Sequence, residues 1–358
     1  MRDRLMRKAN GTEVRHRQVV PPIESAAVAD EAADRRYRRI WGALAGLAYG
    51  DAQGQPFVFY RPAQVTEVYG ADPDWPVPVP AAPGRRCWMR YEASDDTFQS
   101  LCVAQSLISR QRLDTEDIAA RLAALPGRYA SAQSAIHDLR ARRRGGDVRM
   151  ASLGAGAAMR IAPVALAFAN NDLPGLVAAV AAASRISHTA RSTISGAAAA
   201  AAFVRAMLRD DDVTAGVRQA LEASALAAPY GEEDGAPPLH EAISRALEHC
   251  DDLESLLPAD IDACKDVTYV VPIAFAVIWR HRHTMSLPDA VLDAVRIGAD
   301  ADTQGAIVGY MAGSANPASV PYDVIGLIED RNAFRLSETA VALWRMTLCP
   351  SDGSDRWV

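Results

Sequence analysis

The stretch Gly298-Ala299-Asp300-Ala301-Asp302-Thr303, followed by glycines at 305, 309 and 313, decides how this chain folds. Glycine at every fourth position falls on one face of an α-helix and strips that face of side chains. Another backbone can then approach closely. In a lipid-facing segment such a face suggests helix dimerisation. Here two aspartates precede it, so it reads as close packing inside a soluble helical domain, with Asp300 and Asp302 at the helix start.

A similar pattern stands about two hundred residues earlier. Ser94-Asp95-Asp96-Thr97 sets two carboxylates and two hydroxyls ahead of a helix with Phe98, Leu101, Cys102 and Ile108 on one face. Other segments repeat the helical period. Ile40, Leu44 and Leu47 precede a turn at Tyr49 to Pro56. Further helices are predicted over Thr115 to Leu125, Val267 to Arg280 and Pro288 to Arg296. Residues 154 to 169 are small and apolar, and residues 175 to 208 give two helices divided by Ser187-His188-Thr189. Residues 68 to 90, rich in Pro, Gly and Ala, and Gly231 to Pro238 read as loops. No run alternates at period two.

Alanine is abundant and aromatics make up only 6%, which favours packed helices over a β-sandwich. The fold class expected is all-α: a compact single-domain helical bundle over residues 37–349. Residues 1–36 are expected to form a disordered N-terminal extension, and 350–358 a tail.

A net charge of −6 argues against nucleic acid as a partner, which needs a concentrated basic face. The short tract Arg140 to Arg144 reads as a solvated loop. No apolar run is long and charge-free enough to span a bilayer, so no membrane is expected; Ala197 to Ala202 is soon followed by Arg205. Five cysteines, at 87, 102, 250, 264 and 349, are odd in number and lack CxxC spacing. With no apolar leader, a reducing cytoplasmic location is expected.

Either acidic cluster alone could be a helix cap, because Asp, Ser and Thr accept hydrogen bonds from free amides. Together they supply four carboxylates and several hydroxyls, an all-oxygen set suited to Mg²⁺ or Mn²⁺ rather than zinc or copper. Adjacent Asp95 and Asp96 cannot easily reach one point, but they can serve two ions, which in two-metal sites stand ~3.5–4 Å apart. Gly154-Ala155-Gly156-Ala157-Ala158-Met159-Arg160 is a third candidate. Its small residues would let a backbone come near a ligand, with amides available for phosphate oxygens. Tight helix packing explains it equally. His188, alone at a helix junction, is on its own more readily structural than catalytic.

Taken in order, these segments resemble the ADP-ribosylglycohydrolase family. The matching pieces are Gly42 to Gly46 with Gly50-Asp51-Ala52, Ser94 to Thr97, Gly154 to Pro163, Ser187-His188, and Gly298 to Gly313. The resemblance covers roughly residues 38 to 348 and includes glycohydrolases that reverse ADP-ribosylation of dinitrogenase reductase, arginine and serine. It implies an all-helical fold around two Mg²⁺ or Mn²⁺ ions held by Ser94, Asp95, Asp96, Asp300, Asp302 and Thr303. It places a ligand's diphosphate along Gly154, Gly156, Ala157 and Met159, with His188 near the ribose or adenosine end. The implied reaction is hydrolysis at the ribose anomeric carbon, with Asp96 or Asp300 as the base.

The sequence departs from the family on the substrate side. Where the first motif commonly continues Pro-x-Glu, it reads Pro56-Phe57-Val58. Ala155 replaces a usual asparagine, and Ser187 a usual threonine. The implied substrates are therefore an ADP-ribosylated protein or a small ADP-ribosylated or NAD-derived molecule. A non-catalytic binding or structural relative is the third possibility.

Overall fold

The computed structural model describes residues 31–69, 89–126, 129, 152–210 and 212–348. Among these residues the chain forms fifteen α-helices and no strands. In order they are α1 (Glu31–Gly54), α2 (Pro62–Tyr69), α3 (Asp95–Arg110), α4 (Thr115–Ala124), α5 (Gly156–Met159), α6 (Ala162–Ala167), α7 (Leu173–Ser184) and α8 (Arg191–Arg209). There follow α9 (Val213–Ala227), α10 (Leu239–Glu248), α11 (Val267–Arg280), α12 (Leu287–Arg296), α13 (Ala301–Ala315), α14 (Tyr322–Asn332) and α15 (Leu336–Leu348). The all-α expectation holds.

Helix starts follow cap chemistry. Ser94, Asp114, Asp172 and Asp212 each accept a backbone N–H from the first turn of the helix that follows. The expected N-terminal extension reached residue 36, but α1 begins at Glu31 and Tyr37 is already buried. The loop expected from residue 68 is preceded by α2, which runs to Tyr69. Residues 1–30, most of that loop, Arg140 to Arg144 and the tail lie outside the described residues.

Helix α8 is the centre of the core, with every residue from Ser192 to Leu208 buried. Six consecutive alanines, Ala197 to Ala202, let its neighbours pack closely around it. Beside it, α1 and α13 run antiparallel as the most extensively packed pair. A Cβ added at Gly42, Gly46 or Gly50 would fall 2.2, 2.0 or 1.8 Å from the carbonyl oxygens of Gly313, Gly309 and Gly305. The pairing ends with Gly54 against Ala301. Two stripped faces are thus in backbone contact over more than three helical turns, and at Gly42, Gly46 and Gly50 no side chain larger than hydrogen fits between them. This contact sets Asp51 in α1 beside Asp302 at the start of α13. No helix among the described residues is long and apolar enough to cross a membrane.

Candidate metal centre

Three elements converge at the end of the α1–α13 pair. Carboxylate oxygens of Asp51, Asp96 and Asp302 all lie within 4.8 Å of one another. Asp51 and Asp96 are buried, and Asp95, Asp300 and Asp302 keep only partial exposure. Like charges crowded together and removed from water disfavour the ionised form. Burial first, then the Asp302 charge, pushes Asp51 up to about 6 and Asp95 up to about 7. The same two causes raise Asp96 and Asp300, and burial raises Asp302.

The hydrogen bonds separate the roles of these carboxylates. Asp51 accepts from the Ser94 N–H at 3.0 Å, the Thr97 N–H at 3.1 Å and the Thr97 hydroxyl at 2.6 Å. Its oxygens accept from the first turn of α3 and so hold Asp95 and Asp96 in place, while remaining within 4.8 Å of carboxylate oxygens of Asp96 and Asp302. Asp96 is different. One oxygen accepts from the Ser94 hydroxyl at 2.9 Å, while its Oδ1 is buried with no partner among the described residues. Gln55 donates to Asp302, whose other oxygen accepts from the Thr303 N–H at 2.9 Å. Asp95 accepts from Gln99 at 2.9 Å.

An unpaired carboxylate oxygen in a buried site costs free energy that a hard cation would remove. The donor set is entirely oxygen, and its excess negative charge is what a divalent ion neutralises. The residues therefore fit Mg²⁺ or Mn²⁺.

A strained loop contact immediately precedes Asp300. Phe59 N–H donates to the Ala299 carbonyl at 2.6 Å, and Ala299 N–H returns a bond to Tyr60 at 2.8 Å. Phe59 and Ala299 both adopt left-handed backbone, with φ 63° and 59°. Gly298 has φ 70°, and a Cβ there would meet the Tyr60 carbonyl at 2.0 Å, so only glycine fits. This contact carries half-buried Val58 alongside the residues leading into Asp300.

The segment Gly154 to Met159 packs against α3 and α13. Tyr310 of α13 donates its hydroxyl to the Ala158 carbonyl at 3.0 Å, and Ser100 of α3 donates to that of Met159 at 3.3 Å. The strip is thereby tied to both helices that carry the cage.

A family profile for ADP-ribosylglycohydrolases matches residues 32–349. The chain belongs to the ADP-ribosylglycohydrolase family. It is 25% identical to a protein of Archaeoglobus fulgidus over 329 residues, 85% of this chain and 95% of that protein. It is 28% identical to the Escherichia coli K12 protein YegU over 170 residues, a stretch spanning only 51% of that protein's length. A solved structure of an ADP-ribosylglycohydrolase-related protein complex superposes with a TM-score of 0.62 at 27% identity, covering 88% of this chain and 99% of that one. Membership places the chain among hydrolases.

Of the residues expected as ligands in this family member, Asp96 and Asp302 come within 4.8 Å of one another, with Asp51 as the third member of the cluster, and Ser94, Asp95, Asp300 and Thr303 flank them at the same two helix starts. Ser94 also caps α3, so the capping and cage readings describe the same atoms. Gly154, Gly156 and His188 adjoin: a Cβ on Gly156 would lie 3.1 Å from His188 Nε2. The amides of the strip are not all free, since Gly154 N–H donates to Ser152 and Ala155 N–H to the Lys265 carbonyl. What the glycines admit is the His188 ring, whose Cε1 would stand 2.8 Å from a Cβ on Gly156. Ala157 and Met159 are buried, which suits packing beneath the strip.

Sequence reasoning did not assign roles to Asp51, Gln55 or Gln99, and named Arg160 only as the end of the Gly154 to Arg160 segment. For Asp51 a signal existed, because it shares the apolar face of α1 with Leu44 and Ala48. Cys102, Cys250 and Cys264 are free thiols.

Proposed function

We propose that the chain is a metal-dependent hydrolase that cleaves the glycosidic bond between ADP-ribose and an acceptor. The observation that carries this reading is the buried, partnerless Asp96 oxygen inside a convergence of carboxylates, in a chain of this family. A purely structural relative would have no reason to retain such a costly arrangement.

Asp95, Asp96, Asp300 and Asp302, with Ser94 and Thr303, would hold two Mg²⁺ or Mn²⁺ ions. When bound, the ions would orient vicinal ribose hydroxyls and lower the pKa of a water. Asp51 would keep the first turn of α3 rigid, and Gln55 would orient Asp302. Asp300 is the better base of the two expected. It keeps partial exposure, whereas Asp96 is buried and accepts from Ser94. Negative charge around the anomeric carbon would stabilise an oxocarbenium-like transition state.

Val58 favours a particular acceptor class. A valine in the loop held against Ala299 cannot hydrogen-bond a ribose hydroxyl or orient a water. A small ADP-ribosylated molecule that brings its own polar group, or leaves readily, fits better than an ADP-ribosylated protein. The test is incubation with ADP-ribosyl-arginine, ADP-ribosyl-serine and NAD, with Mg²⁺ and with chelator, reading released ADP-ribose. Mg²⁺-dependent release from any of them supports hydrolysis; full turnover in protein shown by elemental analysis to be metal-free would refute it.

A further inference from the structure

Behind the cage runs a buried polar chain that the proposed reaction does not use. Arg160, 4% exposed, donates from one guanidinium nitrogen to Gln99 Oε1 at 2.9 Å and from another to Ser187 Oγ. Gln99 passes a hydrogen bond on to Asp95 at 2.9 Å, and Ser187 Oγ lies 2.8 Å from His188 Nδ1.

A guanidinium has only donors, so it dictates the direction of every bond that follows. Gln99 must turn its oxygen to Arg160, leaving its NH₂ for Asp95. Ser187 Oγ must accept from Arg160. Its own hydrogen then needs an acceptor, and this fully buried hydroxyl has only His188 Nδ1 within reach among the described residues. A bare Nδ1 in a neutral imidazole means that Nε2 carries the proton. Nε2 has no protein partner among the described residues and faces Gly154 and Gly156, 3.8 and 3.1 Å from where their Cβ atoms would stand.

We infer that Arg160 and Ser187 are positioning residues that lock His188 in its Nε2–H form and present that N–H as a neutral donor to an acceptor oxygen lying on the Gly154–Gly156 strip. The identity of that oxygen, a phosphate of ADP-ribose, rests on the function proposed above; the tautomer does not. Burial and the Arg160 charge also keep the ring uncharged, lowering His188 to about 3. One cation thus sets the polarity both of the donor aimed at the ligand and of the amide aimed at Asp95.

The test uses full-length protein with Mg²⁺ and ¹⁵N-labelled histidine. Long-range ¹H–¹⁵N correlation spectra report the tautomer of each of the 7 histidines, with His188→Gln assigning the signal. His188 is expected as Nε2–H with Nδ1 bare. In Ser187→Ala the lock is gone: the signal should move toward the Nδ1–H form, and ADP-ribose affinity by calorimetry should fall about tenfold, the worth of one hydrogen bond. Ser187→Thr, which restores the hydroxyl, should recover both, with metal content constant throughout. An Nδ1–H or mixed tautomer in the wild type overturns the inference, and so does Ser187→Ala with unchanged tautomer or unchanged affinity. Should wild type bind no ADP-ribose at all, the proposed function fails, while the spectra still decide the tautomer.

Discussion

Gly46→Ala tests the backbone contact that builds the site. In an isolated helix this change is stabilising, because alanine exceeds glycine in helix propensity by about 1 kcal/mol. Here the new Cβ would stand 2.0 Å from the Gly309 carbonyl oxygen and 2.7 Å from its carbon. Carbon–oxygen contacts between packed backbones settle at roughly 3.3–3.6 Å, so α1 and α13 must part by roughly 1 Å. The obstacle is backbone, which cannot rotate away as a side chain would. Overpacking of this kind costs about 1–3 kcal/mol, and the upper end applies where two helices must separate. Less the gain in propensity, the net expectation is a loss of about 2 kcal/mol, read as a lower urea midpoint with unchanged slope. The same separation draws Asp51 away from Asp302, so Mn²⁺ affinity should drop too, although position 46 lies five residues, roughly 7.5 Å along the helix, from Asp51. An alanine variant as stable as wild type, with full Mn²⁺ affinity, would refute the idea that these faces are in obligatory contact.

Asp96→Asn keeps the shape and removes a crowded charge. In chelator it should melt above wild type, and it should gain no stability from Mg²⁺; a normal Mg²⁺ response would remove Asp96 from the cage. His188 has a folded pKa depressed to about 3, against 6.5 when unfolded. Its contribution is therefore present above pH 6.5 and lost as pH falls, because the unfolded ring takes a proton that the native ring does not. The stability gap between wild type and His188→Gln should narrow by about 2 kcal/mol between pH 7 and pH 5, and a constant gap would contradict a neutral buried ring. Val58→Glu, at a half-buried position, should raise turnover of ADP-ribosyl-arginine or ADP-ribosyl-serine with metal content unchanged. A destabilised variant with no gain in rate would show that Val58 serves packing only.

The helical class and the stripped face of α13 were legible because both are periodic signals. Gly305, Gly309 and Gly313 announce a close approach by spacing alone. Their partner face, Gly42 to Gly54, carries the same spacing and could have been matched to it. The pairing of Ser94–Thr97 with Asp300–Thr303 was suggested by their shared all-oxygen chemistry and strengthened by family resemblance, since nothing local says that two helix starts so far apart share a point. Gln99, Arg160 and Ser187 were not legible as a chain. Arg160 bonds residues 61 positions before it and 27 after it, and such partners are set by how α3, α5 and the α7–α8 junction stack. Loop placement was less clear, because α2 lies in a stretch whose prolines mask its short period.

The Gln55–Asp302 bond joins residues 247 positions apart. A chain emerging from the ribosome carries one half of the cage from early on and acquires the other only near its end. Truncated or stalled products would keep Asp51, Asp95 and Asp96 but could not enclose an ion. Closing so long a loop carries an entropic cost that grows only slowly with length, and a ligand bound solely by the closed form adds to its stability by mass action. Metal occupancy would therefore report completion: an ion held in the proposed cage would certify that α1 and α13 have met.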